Sequence, residues 1–158
     1  MLRAGDIAPD FDLPVLTGGV KRRFHLAERR QLHKLVLAFY PLNWDPVSAE
    51  QMVRYQVEYE KFSAANAQVV GISIDSIMNA TAWERDIGPL DFFLCSDFWP
   101  HGEVCRKYGV FREQGPGAGA SERAVFVVGQ AGIIEFSRLY ALNEVPDVLA
   151  PVAVLSRL

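Results

Sequence analysis

The stretch Leu35-Val36-Leu37-Ala38-Phe39-Tyr40-Pro41-Leu42-Asn43-Trp44-Asp45-Pro46-Val47-Ser48-Ala49-Glu50-Gln51 decides how this chain is read. Leu35 to Tyr40 is an unbroken apolar run, which reads as a buried strand. Pro41 stops it and a polar turn follows. Asp45 then stands where a helix N-cap would stand, with Pro46 at the first helical position, where its missing N–H costs nothing. Ser48 therefore falls in the first turn of a long helix, near unpaired backbone N–H groups and the positive end of the macrodipole. A strand, a tight turn and a helix N-terminus make a good place to hold an anionic nucleophile. The residue in that place is a serine.

Working outward, the helix after Pro46 is predicted to run to about Asn66, because Met52, Tyr55, Tyr59 and Phe62 recur at spacings of three and four. Gln68 to Ile74 reads as a second buried strand and Thr81 to Ile87 as a short helix. Phe92 to Cys95 is another strand, and Glu103 to Tyr108 a short helix closed by Gly109. Toward the N-terminus, Gly5 to Leu13 alternates into a short strand, which Gly18-Gly19 turns back into Val20 to Leu26. Ala27 to Lys34 is charged and predicts an exposed turn of helix. Toward the C-terminus, Arg112 to Ser121 holds Gly115, Pro116, Gly117 and Gly119 and reads as a mobile surface loop. Ala124 to Val128 and Ile133 to Leu139 form a hairpin through residues 129–132, and Pro146 to Leu155 a final amphipathic helix. No internal repeat or second domain appears, so residues 1–158 are expected to form a single domain. Strands alternating with helices predict an α/β three-layer sandwich with a mixed central sheet.

Half of the 158 residues are apolar, enough for a proper core. A net charge of −3 gives no sign of a nucleic-acid or anionic-membrane partner. No apolar stretch approaches the roughly 20 residues of a membrane span. The first residues lack the apolar region of a signal peptide, so a cytoplasmic location is expected. Two cysteines, Cys95 and Cys105, are neither a disulfide framework nor a metal site, and no cofactor is implied.

The central stretch resembles the peroxiredoxin family (alkyl hydroperoxide reductase and thiol-specific antioxidant proteins), thiol peroxidases with a thioredoxin-like fold. The family motif is Pro-x-x-x-Thr/Ser-x-x-Cys, whose cysteine attacks peroxide. Pro41 matches the proline, Asp45 takes the Thr/Ser position and Ser48 the cysteine position. Gly5 to Leu13 is similar to the usual opening of these proteins, and Val70 to Ser76 to the strand after the catalytic helix. Ser96 to Val104, followed by Tyr108-Gly109-Val110, is similar to the loop and helix of the one-cysteine branch. Arg123 to Val128 is similar to the strand that carries the family's active-site arginine, which makes Arg123 a candidate site residue. The resemblance implies a hydroperoxide substrate and, if the chain is active, a thiol reductant such as thioredoxin. It also implies a homodimer, with Trp44, Phe98 and Trp99 at the contact.

Opening a peroxide O–O bond by nucleophilic attack needs a soft, ionisable sulfur. Serine has neither the acidity nor the polarisability, and it cannot cycle through a sulfenic acid. An ionised Asp45 cannot donate a hydrogen bond to peroxide, and it repels a thiolate. Both changes predict a chain that does not reduce peroxide. Two altered positions favour loss of the site over a single exchange at 48. The alternative function is a redox-silent binding or scaffolding module that keeps the fold. With no thiolate present, Arg123 needs another anion, and Asp45 is expected to pair with it.

Each of these residues also has a plainer reading. Asp45 is a good helix cap, Ser48 a satisfied hydroxyl in the first turn, Arg123 a strand-end arginine, and Glu50 an acid favourable to the helix dipole. Gln51 stands where the family often has Glu. Cys95 reads as a small core residue. Cys105 is placed as a resolving cysteine could be, but position 48 offers it nothing to resolve. His25, His33 and His101 are scattered, which gives a Ser-His-Asp hydrolase little support.

Overall fold

A computed structural model describes residues 1–158. Three parallel strands form its centre: β3 (Lys34–Phe39), β4 (Ala67–Ser73) and β5 (Phe93–Ser96). β1 (Asp12–Thr17) and β2 (Val20–His25) extend the sheet antiparallel on the β5 side. β6 (Arg123–Val128) and β7 (Ile134–Tyr140) extend it antiparallel on the β3 side. The order across the seven strands is β2-β1-β5-β4-β3-β6-β7.

Strand alternation sends side chains into two separate core layers. Leu35, Leu37 and Phe39 point to one, with Leu26 of α1 (Leu26–Leu32) and Val104 and Cys105 of α5 (Glu103–Lys107). Val36, Ala38 and Tyr40 point to the other. They meet Met52 and Tyr55 of α2 (Pro46–Val57), Phe62 of α3 (Tyr59–Ala64), Trp83 of α4 (Ile77–Ile87) and Leu155 of α6 (Ala150–Leu155). The result is the predicted three-layer α/β sandwich with a mixed sheet. Alternation along β6 also decides the site, because Arg123 shares the phase of Val125 and Val127 and faces the α2 side.

Several boundaries differ from expectation. The helix predicted from Pro46 to Asn66 breaks at Glu58 (φ −96°, ψ 11°), where the backbone tightens from the Glu58-to-Arg54 bond to a Lys61-to-Glu58 bond. Gly5 to Leu13 contributes only an isolated pairing of Ile7 with Ile133, and the strand proper begins at Asp12. The N–H groups of Gly5 and Ala8 go to Ile134 and Gly132 of the hairpin, and Pro9 has none to give. α4 starts four residues early at Ile77, capped by the Ser76 hydroxyl, which accepts the N–H of Asn79. Residues 112–121 form a closed loop with bonds of its own, from Arg112 N–H to Ala120 and from Gly119 N–H to Arg112. The last helix starts at Ala150 instead of Pro146, since the Asp147 carboxylate takes the N–H of Leu149 and holds a turn there.

Candidate active site

Asp45, Ser48 and Arg123 come together at the N-terminus of α2. Asp45 has extended geometry (φ −73°, ψ 125°) and caps the helix, its Oδ2 accepting the Ser48 N–H at 3.1 Å. The same oxygen accepts the Ser48 hydroxyl at 2.8 Å and the Arg123 Nη2–H at 2.9 Å. Arg123 is completely buried, whereas the Asp45 side chain keeps 29% of its surface at the mouth of the site. Pro41 is buried at the end of β3; having no N–H, it ends the strand and donates nothing to the cluster.

Two partners complete the arginine. Its Nη1 donates to the Gln51 Oε1 at 2.9 Å and to the Ser48 Oγ at 3.1 Å. Its Nε and Nη2 donate to the Leu142 carbonyl at 3.2 and 2.8 Å. All five guanidinium N–H groups therefore have an acceptor inside the chain. Behind Gln51, its Nε2 faces the buried Tyr55 hydroxyl at 3.5 Å. Gln51 is three residues from Ser48 and so shares its helix face, a signal the sequence did hold. Leu142 contributes only a backbone oxygen, which no side-chain pattern announces.

The electrostatics follow from this packing. Burial pushes the Asp45 carboxyl upward, but the bonds from Ser48 and Arg123 outweigh it and hold the group below its usual value. Burial pushes Arg123 downward and Asp45 partly restores it, and the guanidinium stays a cation. Ser48 is fully buried, with its proton directed at Asp45. No histidine contacts it; the one group placed to take its proton is the Asp45 carboxylate, whose lowered pKa makes it a weak base.

The two thiols lie elsewhere. Cys95 and Cys105 are free, buried and part of the core layer beneath α1 and α5, across the sheet from α2. Burial, with the Asp97 carboxylate adding to it, pushes both thiols up. They are inert core groups in this state. No group of His, Cys, Asp and Glu side chains is placed to hold a metal ion. A hollow of about 540 Å3, lined in part by Lys34, Lys61, Val152 and Leu155, lies apart from the Arg123 cluster and contributes none of its residues.

A mixed sheet with an arginine facing a capped helix N-terminus defines a peroxiredoxin-type, thioredoxin-like protein. The chain belongs to the AhpC/TSA family, whose model matches residues 4–137. Alkyl hydroperoxide reductase E of Mycobacterium bovis is 33% identical over 147 residues, 93% of this chain and 92% of that protein. Peroxiredoxin-2 of Mus musculus is 27% identical over 148 residues, 90% of this chain and 70% of that one. Among solved structures, the reduced 2-Cys peroxiredoxin of Plasmodium vivax superimposes with a TM-score of 0.89 at 21% identity, covering 99% of this chain and 81% of its own. Mycobacterium tuberculosis AhpC gives 0.87 at 23% identity, with 99% and 98% covered. These two likenesses establish the fold.

Proposed function

We propose that this peroxiredoxin-family protein carries a closed peroxide site and does not turn over peroxide as it stands. In thiol-dependent reduction, a thiolate attacks one peroxide oxygen, an S–O bond forms, and the O–O bond breaks. The leaving alkoxide or hydroxide takes a proton, and a thiol reductant then reduces the sulfenic acid. Ser48 occupies the cysteine position of the motif and offers no thiolate. Asp45, at the Thr/Ser position, offers a carboxylate where a hydroxyl donor is needed. One observation carries the reading: every N–H of Arg123 is bonded within the chain, so no donor is left to polarise a peroxide oxygen.

A peroxide-consumption assay with dithiothreitol or thioredoxin tests this. The wild-type chain is expected to be silent, and Ser48→Cys with Asp45→Thr to gain turnover. Wild-type turnover that survives replacement of both Cys95 and Cys105 would overturn the reading. Full activity from Ser48→Cys alone would show that Asp45 tolerates a thiolate.

We also place the protein in the cytoplasm, where two unpaired thiols are expected to stay reduced. A homodimer is proposed through the face that carries Trp44, Phe98 and Trp99, which are 52%, 52% and 78% exposed. A monomer mass by light scattering at tens of micromolar would remove that part.

A further inference from the structure

A second polar cluster lies beside the site and touches neither Arg123 nor Ser48. Asn43 is buried and held by three residues, Tyr40 just past β3, Asp75 in the turn after β4 and Asn79 on α4. Its Oδ1 accepts the Tyr40 hydroxyl at 2.7 Å, its N–H donates to Asp75 at 2.8 Å, and its Nδ2 donates to the Asn79 Oδ1 at 3.1 Å. That same Asn79 oxygen accepts the Trp44 indole N–H at 3.0 Å. Asp75 is in turn fixed by the Ser73 hydroxyl at 2.8 Å, and its carbonyl by the Ser96 hydroxyl at 2.6 Å.

Trp44 joins this cluster to Asp45, and its backbone is strained. Its φ is +71°, in the left-handed region that costs an L-residue with a large side chain roughly 1–2 kcal/mol. Such a conformation persists only where the surroundings over-determine it. Here Asn43 pins one side, the Asp45 cap pins the other, and Asn79 holds the indole between them. If Trp44 relaxed, the peptide leading into Asp45 would rotate and carry the carboxylate away from Arg123.

We propose that Asn79 is a positioning residue for the closed site, holding Asp45 on Arg123 by keeping Trp44 in its left-handed conformation. The proposal rests on reading the Asp45–Arg123 pair as the element that closes the pocket. α4 then sets the site from outside it, through one amide oxygen that serves two donors.

The Asp45 carboxyl, followed through a pH titration by its carbon NMR signal, provides the readout in the full chain. Trp44→Phe removes the indole bond and leaves the strain; Asn79→Ala removes that bond and the Asn43 bond together. Both are expected to move the Asp45 titration up toward the ordinary aspartate value. Trp44→Gly removes the whole side chain and also the strain, because glycine adopts positive φ freely. It is expected to leave Asp45 titrating as low as in the wild type. A merely structural role for Trp44 demands the reverse order, with the glycine variant worse than phenylalanine, and that order would overturn the proposal. So would an Asp45 titration unmoved by Trp44→Phe. A wild-type Asp45 already at the ordinary value would instead remove the closed-site reading itself, which keeps the two failures apart.

Discussion

Asp45 and Asp97 do the same backbone job with opposite electrostatics. Each is an aspartate that accepts N–H groups at the start of a helix: Asp45 from Ser48 on α2, Asp97 from Val104 and Cys105 on α5, at 3.1 and 2.8 Å. Arg123 stands beside Asp45, and the carboxyl is held below its usual value. Asp97 is fully buried, no cation is bonded to it, and desolvation drives it up in spite of its two N–H bonds. Capping alone does not decide the charge of a carboxylate: at the half-buried Asp45 the Ser48 hydroxyl and then Arg123 outweigh desolvation, and at the fully buried Asp97 desolvation prevails. The thiols fall on the wrong side of this comparison. Cys105 sits beside Asp97, where an anion is penalised, while the residue beside the Asp45–Arg123 pair is Ser48.

Removing the carboxylate from the first region should have the largest effect. Asp45→Ala leaves a fully buried guanidinium without a counter-ion. It is expected to cost about 3 kcal/mol in urea denaturation, more than the ~1 kcal/mol of a lost cap. Asp45→Asn keeps the cap and isolates the charge. A loss for Asp45→Ala no larger than a cap would show that Arg123 finds another anion or water.

The second region should respond less and with the opposite pH trend. Asp97→Asn replaces one of two accepting oxygens with a donor and should cost about 1–3 kcal/mol for the N–H left unpaired. Because the Asp97 pKa is raised on folding, its contribution is complete below the unfolded value and is lost as pH rises through the folded one. The Asp45 pKa is lowered, so its contribution is complete above the unfolded value and is lost as pH falls through the folded one. Lowering the pH from about 5 to about 3 should therefore narrow the gap between wild type and Asp45→Asn, and widen that between wild type and Asp97→Asn. Parallel gaps would show that the two caps do not differ in this way.

The layers of the fold were legible because they depend on periodicity. β3, β4 and β6 are apolar runs buried on both faces, and they fall within a residue of where the runs lie. The boundaries that slipped are those set by side-chain bonds across the chain. Glu58 breaks a helix whose apolar stripe continues through it, and Asp147 delays one whose proline promised an earlier start. The site divides in the same way. A cap and a proline placed Asp45 and Ser48 at the helix start, the family resemblance singled them out with Arg123 as site residues, and the expected Asp45–Arg123 contact came from the need of a buried cation for an anion. Gln51 was visible as a position without its role. Asn79 and the Leu142 carbonyl had no local signature, since one acts from 35 residues beyond Trp44 and the other is a backbone atom.

The complete satisfaction of Arg123 also shapes how such a chain can change by descent. Its acceptors come from α2 and from the segment after β7, so they do not mutate as one unit. A chain that exchanges Ser48 alone for cysteine puts a thiol against an ionised carboxylate. One that exchanges Asp45 alone for threonine strands the buried cation. Each single step is expected to land on a site worse matched than either end. On this reading the two substitutions are expected to be epistatic, which the activities of the two single variants and the double variant measure.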